Sequence, residues 1–546
     1  MNVSPDSARE RALLLGLQLL LLVPFFDRPL HIDDALWLQI ARHVQVDPWQ
    51  PLDFIYNWTG VPGSVHGEMK NPPGVAYYLA WLASWSGESV RAMHAGMSLF
   101  AIVASQSVYS LARRVTQAPL YAAALFAVCP AFWVSATSLM VDVPMVAFML
   151  LALLGLVRAG EATASSRNAV AGVVASCGGG LAAAASILSK YFAVSILPLF
   201  AAHLYFARED SPLAWRKAPV FVLPIAAFAI WWWAGDAHVL GAVGYRATER
   251  ASFLSWFATH GLSTASFSGA LLAFPVVAWA GALADPAQRG QAAICAALGL
   301  LASIAFHVFY GFPFQIANDA LLILSVAGGA VLGMDVLAGA RSLWAGEASP
   351  LRRTLLLWLG GGLCFAIVFN WTVNARTILL FAAPAVLVFG WRSEGKPALR
   401  TAALGVSALA GLGVGLADAE FASFGPAEVA RTQRDFAGAA RVRFIGHWGF
   451  QHYMEEAGYA HVDIARPDAR PGDVVVIPQT HRIASVPTGG LPPFVSTSVA
   501  ERPRRLPVAV MDEASGAGLH GSFLGPLPFA FVPLSSPLER VEVARW

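Results

Sequence analysis

The sequence predicts a polytopic α-helical membrane protein of about thirteen spans, closed by a small C-terminal α/β domain. Three observations carry this. Charged residues make up 13% of the 546-residue chain and hydrophobic residues 57%, where an average soluble domain carries about 25% charged residues. Apolar stretches approaching the roughly 20 residues that cross a bilayer recur between residues 11 and 417. Beyond residue 417 charge and proline become denser and the apolar runs shorten. An ordinary soluble enzyme and a disordered chain are both excluded. Thirty-six basic side chains nearly balance 34 acidic ones, so no polybasic surface marks the protein for nucleic acid.

The spans follow in order at 11–26, 92–112, 117–135, 143–159, 168–187, 190–206, 217–235, 266–284, 291–310, 319–339, 354–371, 375–391 and 399–417. The first begins after Arg9 and Arg11 like a signal peptide. It lacks a small-x-small cleavage site and runs into Pro24-Phe25-Phe26-Asp27, so it reads as an uncleaved helix. With the N-terminus cytoplasmic, inside loops hold 16 basic residues and outside loops before residue 418 hold 8. This bias favours that orientation. An odd number of spans then puts residues 418–546 outside, as an extracytoplasmic domain. Within it, Arg443-Phe-Ile and Asp473–Pro478 read as short strands and Gln451–Ala457 as a short helix. Cys129, Cys177, Cys295 and Cys364 lie singly in apolar runs, without metal or redox spacing.

The predicted outside face collects the unusual residues. The long loop 27–73 contains His31-Ile-Asp33-Asp34 before an amphipathic helical run, then His66-Gly-Glu68-Met-Lys70-Asn71-Pro72-Pro73. Adjacent carboxylates at a helix start serve either as caps or as reactive groups. Asp142, in Val-Asp142-Val-Pro144, sits on a short turn between two spans, where a cap competes with a functional carboxylate. Arg376, in Asn370-Trp-Thr-Val-Asn374-Ala-Arg376, breaks the positive-inside trend. Its guanidinium suits phosphate oxygens, or snorkels to headgroups. Lys190 offers the same two readings. The loop 236–265 carries Asp236, His238, Tyr245, Arg246, Glu249, Arg250 and His260 without metal spacing, and reads as a solvated loop or a substrate lid. In the tail, Gly446-His-Trp-Gly-Phe-Gln-His-Tyr453 is either strand–helix packing or an acceptor-contacting edge.

At these residues the chain resembles the GT-C membrane glycosyltransferases, nearest the branch of protein O-mannosyltransferases and lipid A aminoarabinose transferases. The matching features are the acidic pair Asp33-Asp34 in the first outside loop, Asp142 before a proline-started span, and Arg376 ahead of a proline-containing apolar run. The Pro-Pro-Gly-Val-Ala-Tyr-Tyr stretch at 72–78 is similar to the family's segment leading into the membrane. The second acid here is Asp34 where the family usually has Glu. The resemblance spans about residues 10–390 and implies a GT-C-like transmembrane domain, 1–417, with a catalytic first loop.

The resemblance also implies a polyprenyl-phosphate sugar donor and an acceptor hydroxyl on a lipid, glycan or protein, with inversion at the sugar. Asp33 would be the base, with Asp34 and Asp142 as further catalytic carboxylates. Arg376, Lys190 and Lys70 would meet the donor phosphate. His31, His66 and Glu68, beside the aspartates, are candidate ligands for a divalent metal ion, although no spacing compels one. The setting expected is a bacterial inner membrane. A lipid or polysaccharide transporter would instead carry polar, broken helices at mid-membrane in repeated halves, and no repeat is visible. A non-catalytic envelope-assembly protein would tolerate Asn at position 33.

Overall fold

The computed structural model describes residues 5–69, 71–164, 169–207, 218–234, 253–345, 348–439, 441–482 and 491–546. Each predicted span is helical over most of its described residues. Among those residues, eight helices are long and apolar enough to cross a membrane, or up to ten if two bent pairs each form one span. The protein is an integral membrane protein.

Two stretches read as straight spans are broken. Pro119–Val128 and Pro130–Ala136 meet at 64°, because Pro130 lacks the N–H that would continue the first helix. Ser255–Leu272 and Phe274–Ala284 meet at 93°, at Ala273 with φ +61° just ahead of Pro275. The helix before this break begins at Phe253, so residues 253–265 of the predicted 236–265 loop are helical instead. The span predicted at 354–371 runs Pro350–Cys364 and ends in a π-helical turn, Phe365–Phe369. Turns of this kind occur often at functional sites.

The helix Ala375–Arg392 is enclosed all round, with 83% of its apolar window buried. Its residues Phe381, Ala382, Val386 and Leu387 are fully buried, as expected for a helix apolar on every face. Small residues let other helices touch backbone to backbone. A Cβ on Gly329 would lie 2.0 Å from the Ala265 carbonyl oxygen.

The C-terminal part holds a five-stranded mixed sheet. Its strands are β1 (Val442–Phe444), β2 (Ala460–His461), β3 (Val474–Pro478), β4 (Ser496–Arg502) and β5 (Glu539–Arg545), in spatial order β2-β1-β3-β5-β4. Strands β1, β2 and β3 are parallel, whereas β5 runs antiparallel to β3 and β4. The predicted strands at 443 and 473 are therefore present. The helix Trp448–Glu456 connects β1 to β2, the crossover that parallel strands need. Val474–Ile477 are buried on both faces, which is why this strand reads as an unbroken apolar run. Smaller two-stranded pairs follow, Val508–Ala509 with Ala530–Phe531 and Met511–Asp512 with Ala517–Gly518. Ala509, Leu527 and Ala530 share a buried cluster with Phe306, Leu322 and Val326 of the membrane helices.

Candidate active site

Four segments distant in sequence meet at one end of the helical bundle. Asp33 stands at the N-cap position of the loop helix Asp34–Val46, and its side chain makes no capping bond. It faces Arg376 instead, with Nη1 of Arg376 3.2 Å from Asp33 Oδ2. Asp33 keeps 33% of its side chain exposed. Ile32, immediately before it, adopts φ +49°. A β-branched residue strains there, and strain of this kind collects where a neighbour must be held in an unusual place.

Asp34 does the opposite of its neighbour. It is fully buried. Oδ2 accepts the His31 N–H at 3.2 Å and Oδ1 accepts the Leu139 N–H at 2.8 Å. Burial pushes its carboxyl up to about 6, against the pull of Arg28 and these two N–H groups. Asp34 thus pins the first loop to the turn before Asp142 and is absent from the cavity wall.

Asp142 opens the helix Asp142–Ala164 and is 1% exposed. Its Oδ1 accepts the Lys190 ammonium at 2.7 Å, so the acid pairs with a cation across helices. Among the described residues Oδ2 has no hydrogen-bond partner. Lys190 lies at the break between the helix Ala169–Ser189 and a 3₁₀ turn, 4.7 Å over the Phe192 ring.

Arg376 is the second residue of its helix. Asn374 caps that helix in a reciprocal box with Thr377: Asn374 Oδ1 accepts the Thr377 N–H at 2.9 Å. Asn370 donates to Thr377 Oγ1 and to the Thr372 carbonyl, each at 2.7 Å. The turn that presents Arg376 is therefore tied by several hydrogen bonds. Positive charge is concentrated where the helix dipole is also positive.

Asp33, Lys190 and Arg376 line one cavity of about 540 Å³. Glu68, Asn71, Asn370, Asn374 and Thr377 supply further polar groups, and Trp37, Trp58, Tyr191, Phe365 and Phe369 supply aromatic wall. Phe369 and Trp371, at one side, are 63% and 49% exposed. Amphipathic and apolar rings in this position suit a membrane–water boundary.

Of the residues predicted from sequence, Asp33, Arg376, Lys190 and Glu68 share the cavity. Asp142 stands behind Lys190, and Asp34 is withdrawn into a structural contact. The candidate metal set does not assemble. Glu68 reaches the cavity and His66 is not on its wall, whereas His31 Nε2 lies 3.2 Å from Asp418 Oδ1. Among the described residues only His31, Asp418 and His520 gather three ligand-type atoms. Lys70 lies outside the described residues, as do Asp236, His238, Tyr245, Arg246, Glu249 and Arg250. His260 stacks on Trp256 at 3.8 Å, with Nε2 3.3 Å from the Trp371 carbonyl oxygen.

The tail segment Gly446–Tyr453 packs against the first loop. A Cβ on Gly449 would lie 2.0 Å from the Leu30 carbonyl oxygen, and Tyr453 Oη accepts the Leu30 N–H at 2.9 Å. His447 lies 4.1 Å from Trp58, ring to ring. Burial lowers its imidazole to about 3, so it is neutral at physiological pH. Trp58, Asp418 and His520 escape sequence reasoning. A carboxylate inside the last apolar helix was the available signal for Asp418. His520 has none, because it lies in a polar tail loop.

Acids and cations thus face one cavity at the end of a helical bundle. Residues 70–233 match the family model described as dolichyl-phosphate-mannose-protein mannosyltransferase. No curated protein sequence matches the chain. Among solved structures it is similar to ArnT from Cupriavidus metallidurans bound to undecaprenyl phosphate, at 14% identity over 98% of this chain and 97% of that one, TM-score 0.42. It is also similar to an Archaeoglobus fulgidus oligosaccharyltransferase complex with Zn and sulfate, at 14% identity over 83% and 62%, TM-score 0.49. The S. cerevisiae protein O-mannosyltransferase Pmt1-Pmt2 complex bound to the sugar donor aligns at 15% identity over 43% and 32%, TM-score 0.30.

Proposed function

We propose that this protein transfers a sugar from a polyprenyl-phosphate donor to an acceptor hydroxyl at the extracytoplasmic face of a bacterial inner membrane. The single observation that carries the reading is the cavity shared by Asp33, Arg376 and Lys190, with polar groups at one part and exposed rings at another. Such a site receives a polar reactant and a lipid-borne one at the same boundary.

The acceptor oxygen attacks the anomeric carbon as the bond to the phosphate oxygen breaks. The acceptor proton passes to Asp33, and the polyprenyl phosphate leaves with the electron pair. A phosphate leaving group needs charge stabilisation more than a proton. Arg376 and Lys190 supply it as fixed cations, worth more in a partly dry site than in water. Asp33 is the base, because it alone of the three candidate aspartates lines the cavity with exposed carboxylate. Arg376 holds that carboxylate in place until the donor phosphate competes for the same guanidinium. Asp142 keeps Lys190 aimed. A single displacement of this kind inverts the sugar centre. The excess of basic residues on the opposite side supports the orientation.

The test is transfer of labelled sugar from a panel of polyprenyl-phosphate donors, in membranes holding wild type or Asp33→Asn at equal amounts. Transfer by wild type alone supports the reading. Equal transfer by both removes Asp33 as base. No transfer by wild type across the panel favours a transporter or an assembly protein.

A further inference from the structure

A buried node lies behind the cavity, centred on Asp418 near the end of the last membrane helix, Pro397–Ala422. Arg28 Nη1 is 3.0 Å from Oδ2 of this carboxylate. His31 Nε2 and His520 Nε2 lie 3.2 Å and 2.7 Å from Oδ1. A carboxylate only accepts, so each imidazole presents Nε2–H to it. Arg28 also donates to Thr137 Oγ1 at 2.9 Å. The node therefore joins the first loop two residues before Asp33, the turn before Asp142, the last membrane helix and the tail.

The residues flanking His520 hold the other half of the cavity. The Leu519 carbonyl accepts the Ala375 N–H at 2.9 Å. The Ser522 N–H donates to the Val373 carbonyl at 2.8 Å, and Ser522 Oγ accepts the Val373 N–H at 3.0 Å. Thr372 Oγ1 accepts the Ser522 N–H at 3.0 Å as well. The four residues Leu519–Ser522 thus grip the turn that presents Arg376 with their backbone and Ser522 hydroxyl, and grip the base of the Asp33 loop with one imidazole.

We propose that Leu519–Ser522 is a brace that fixes the spacing of Asp33 and Arg376, with His520 as its positioning residue. The node is better suited to this than to a metal ion. Arg28 already balances the Asp418 charge, and a divalent ion added beside them would leave a buried excess of positive charge. The brace deepens the glycosyltransferase reading and its catalytic consequence rests on that reading. Its mechanical part does not. A misplacement of about 1 Å at such a site costs about a hundredfold in rate.

Hydrogen exchange by mass spectrometry on the full-length protein in nanodiscs tests the mechanical part. His520→Leu removes the donor and His520→Gln keeps an N–H near the Nε2 position. The expected result is faster exchange in the peptides containing 30–36 and 370–378 together in His520→Leu, with recovery in His520→Gln. Ser522→Ala keeps the node and is expected to loosen only the 370–378 peptide. This second variant keeps the test open if His520→Leu fails to fold. Unchanged exchange in both peptides, or loosening confined to the tail, overturns the brace. Stoichiometric metal in wild type that is lost in Asp418→Asn overturns it in favour of a metal centre. In the transfer assay His520→Leu is expected to lower kcat at least tenfold with donor KM within twofold of wild type, and His520→Gln to restore it. Equal kcat in all three overturns the positioning role. A wild type without transfer defeats the functional reading, while the exchange result still decides the brace.

Discussion

The cavity sets two acid–cation pairs side by side, Asp33 with Arg376 and Asp142 with Lys190, and they differ in which partner is exposed. Asp33 keeps a third of its side chain accessible, whereas Asp142 is 1% exposed. In the first pair the acid meets the cavity, where the proposed reading makes it the base. In the second only the cation does, and the acid serves as its holder. Similar pair chemistry at one boundary therefore supports two jobs, and burial decides between them. Asp34 extends the lesson. One residue along from Asp33, it is fully enclosed and bonded to backbone, so adjacency in sequence carries no shared role.

The sharpest break of this comparison is Asp33→Asn, which is expected to lower transfer by about 10²–10⁴-fold, the range for a lost general base. Thermal unfolding should stay near wild type, because Asp33 is partly exposed. Arg376→Ala comes next, with an expected loss of about 10²–10³-fold in kcat, the scale of one preorganised charge-stabilising donor. Its read-out is the same transfer assay at saturating donor.

The second pair predicts a stability effect first. Asp142→Asn strands the Lys190 ammonium and is expected to cost about 3 kcal/mol, at the low end for a broken buried pair because Lys190 is partly exposed. Denaturant unfolding measures this. The double variant Asp142→Asn with Lys190→Met should recover part of the loss while remaining poor in transfer. A double variant no more stable than the single one would mean that the pair is not the unit.

Asp34 sharpens the comparison through pH. Its folded carboxyl sits at about 6, above the ordinary 3.8. Its stabilising contribution is therefore complete below about pH 4 and is lost as pH rises through 6, where the buried group must ionise. Wild type should lose up to about 3 kcal/mol across that window relative to Asp34→Asn. Paired unfolding curves at pH 4.5 and pH 7.5 check the sign. A difference between the two proteins that does not change with pH would remove the assignment. The smallest expected effect is Glu501→Gln, which breaks an exposed pair with Arg540 on β4 and β5. It should change stability by less than about 1 kcal/mol and leave transfer unaltered.

Apolar runs made the helical stretches legible, since hydrocarbon thickness and hydropathy act on each segment by itself. The breaks at Cys129 and Ala273 were harder to see. Pro130 and Pro275 flag them, but a proline inside an apolar run also fits a continuous kinked span. In the tail, alternating and apolar runs marked β1 and β3. β4 escaped because most of its side chains are exposed and offer no burial pattern, and β5 because its alternation is short and heavily charged. The cavity acids and cations were legible because charge beside a membrane is costly and stands out.

By itself the sequence determined a helical membrane protein with its costly polar residues gathered into a few turns, because each of those properties is local to a segment. Only the tertiary structure decided which carboxylate meets the cavity, which is buried, and which cation each one faces. It alone brought His520 to Asp418, 102 positions away. Burial and pairing belong to surfaces that exist only after distant segments pack, so no reading of one segment contains them.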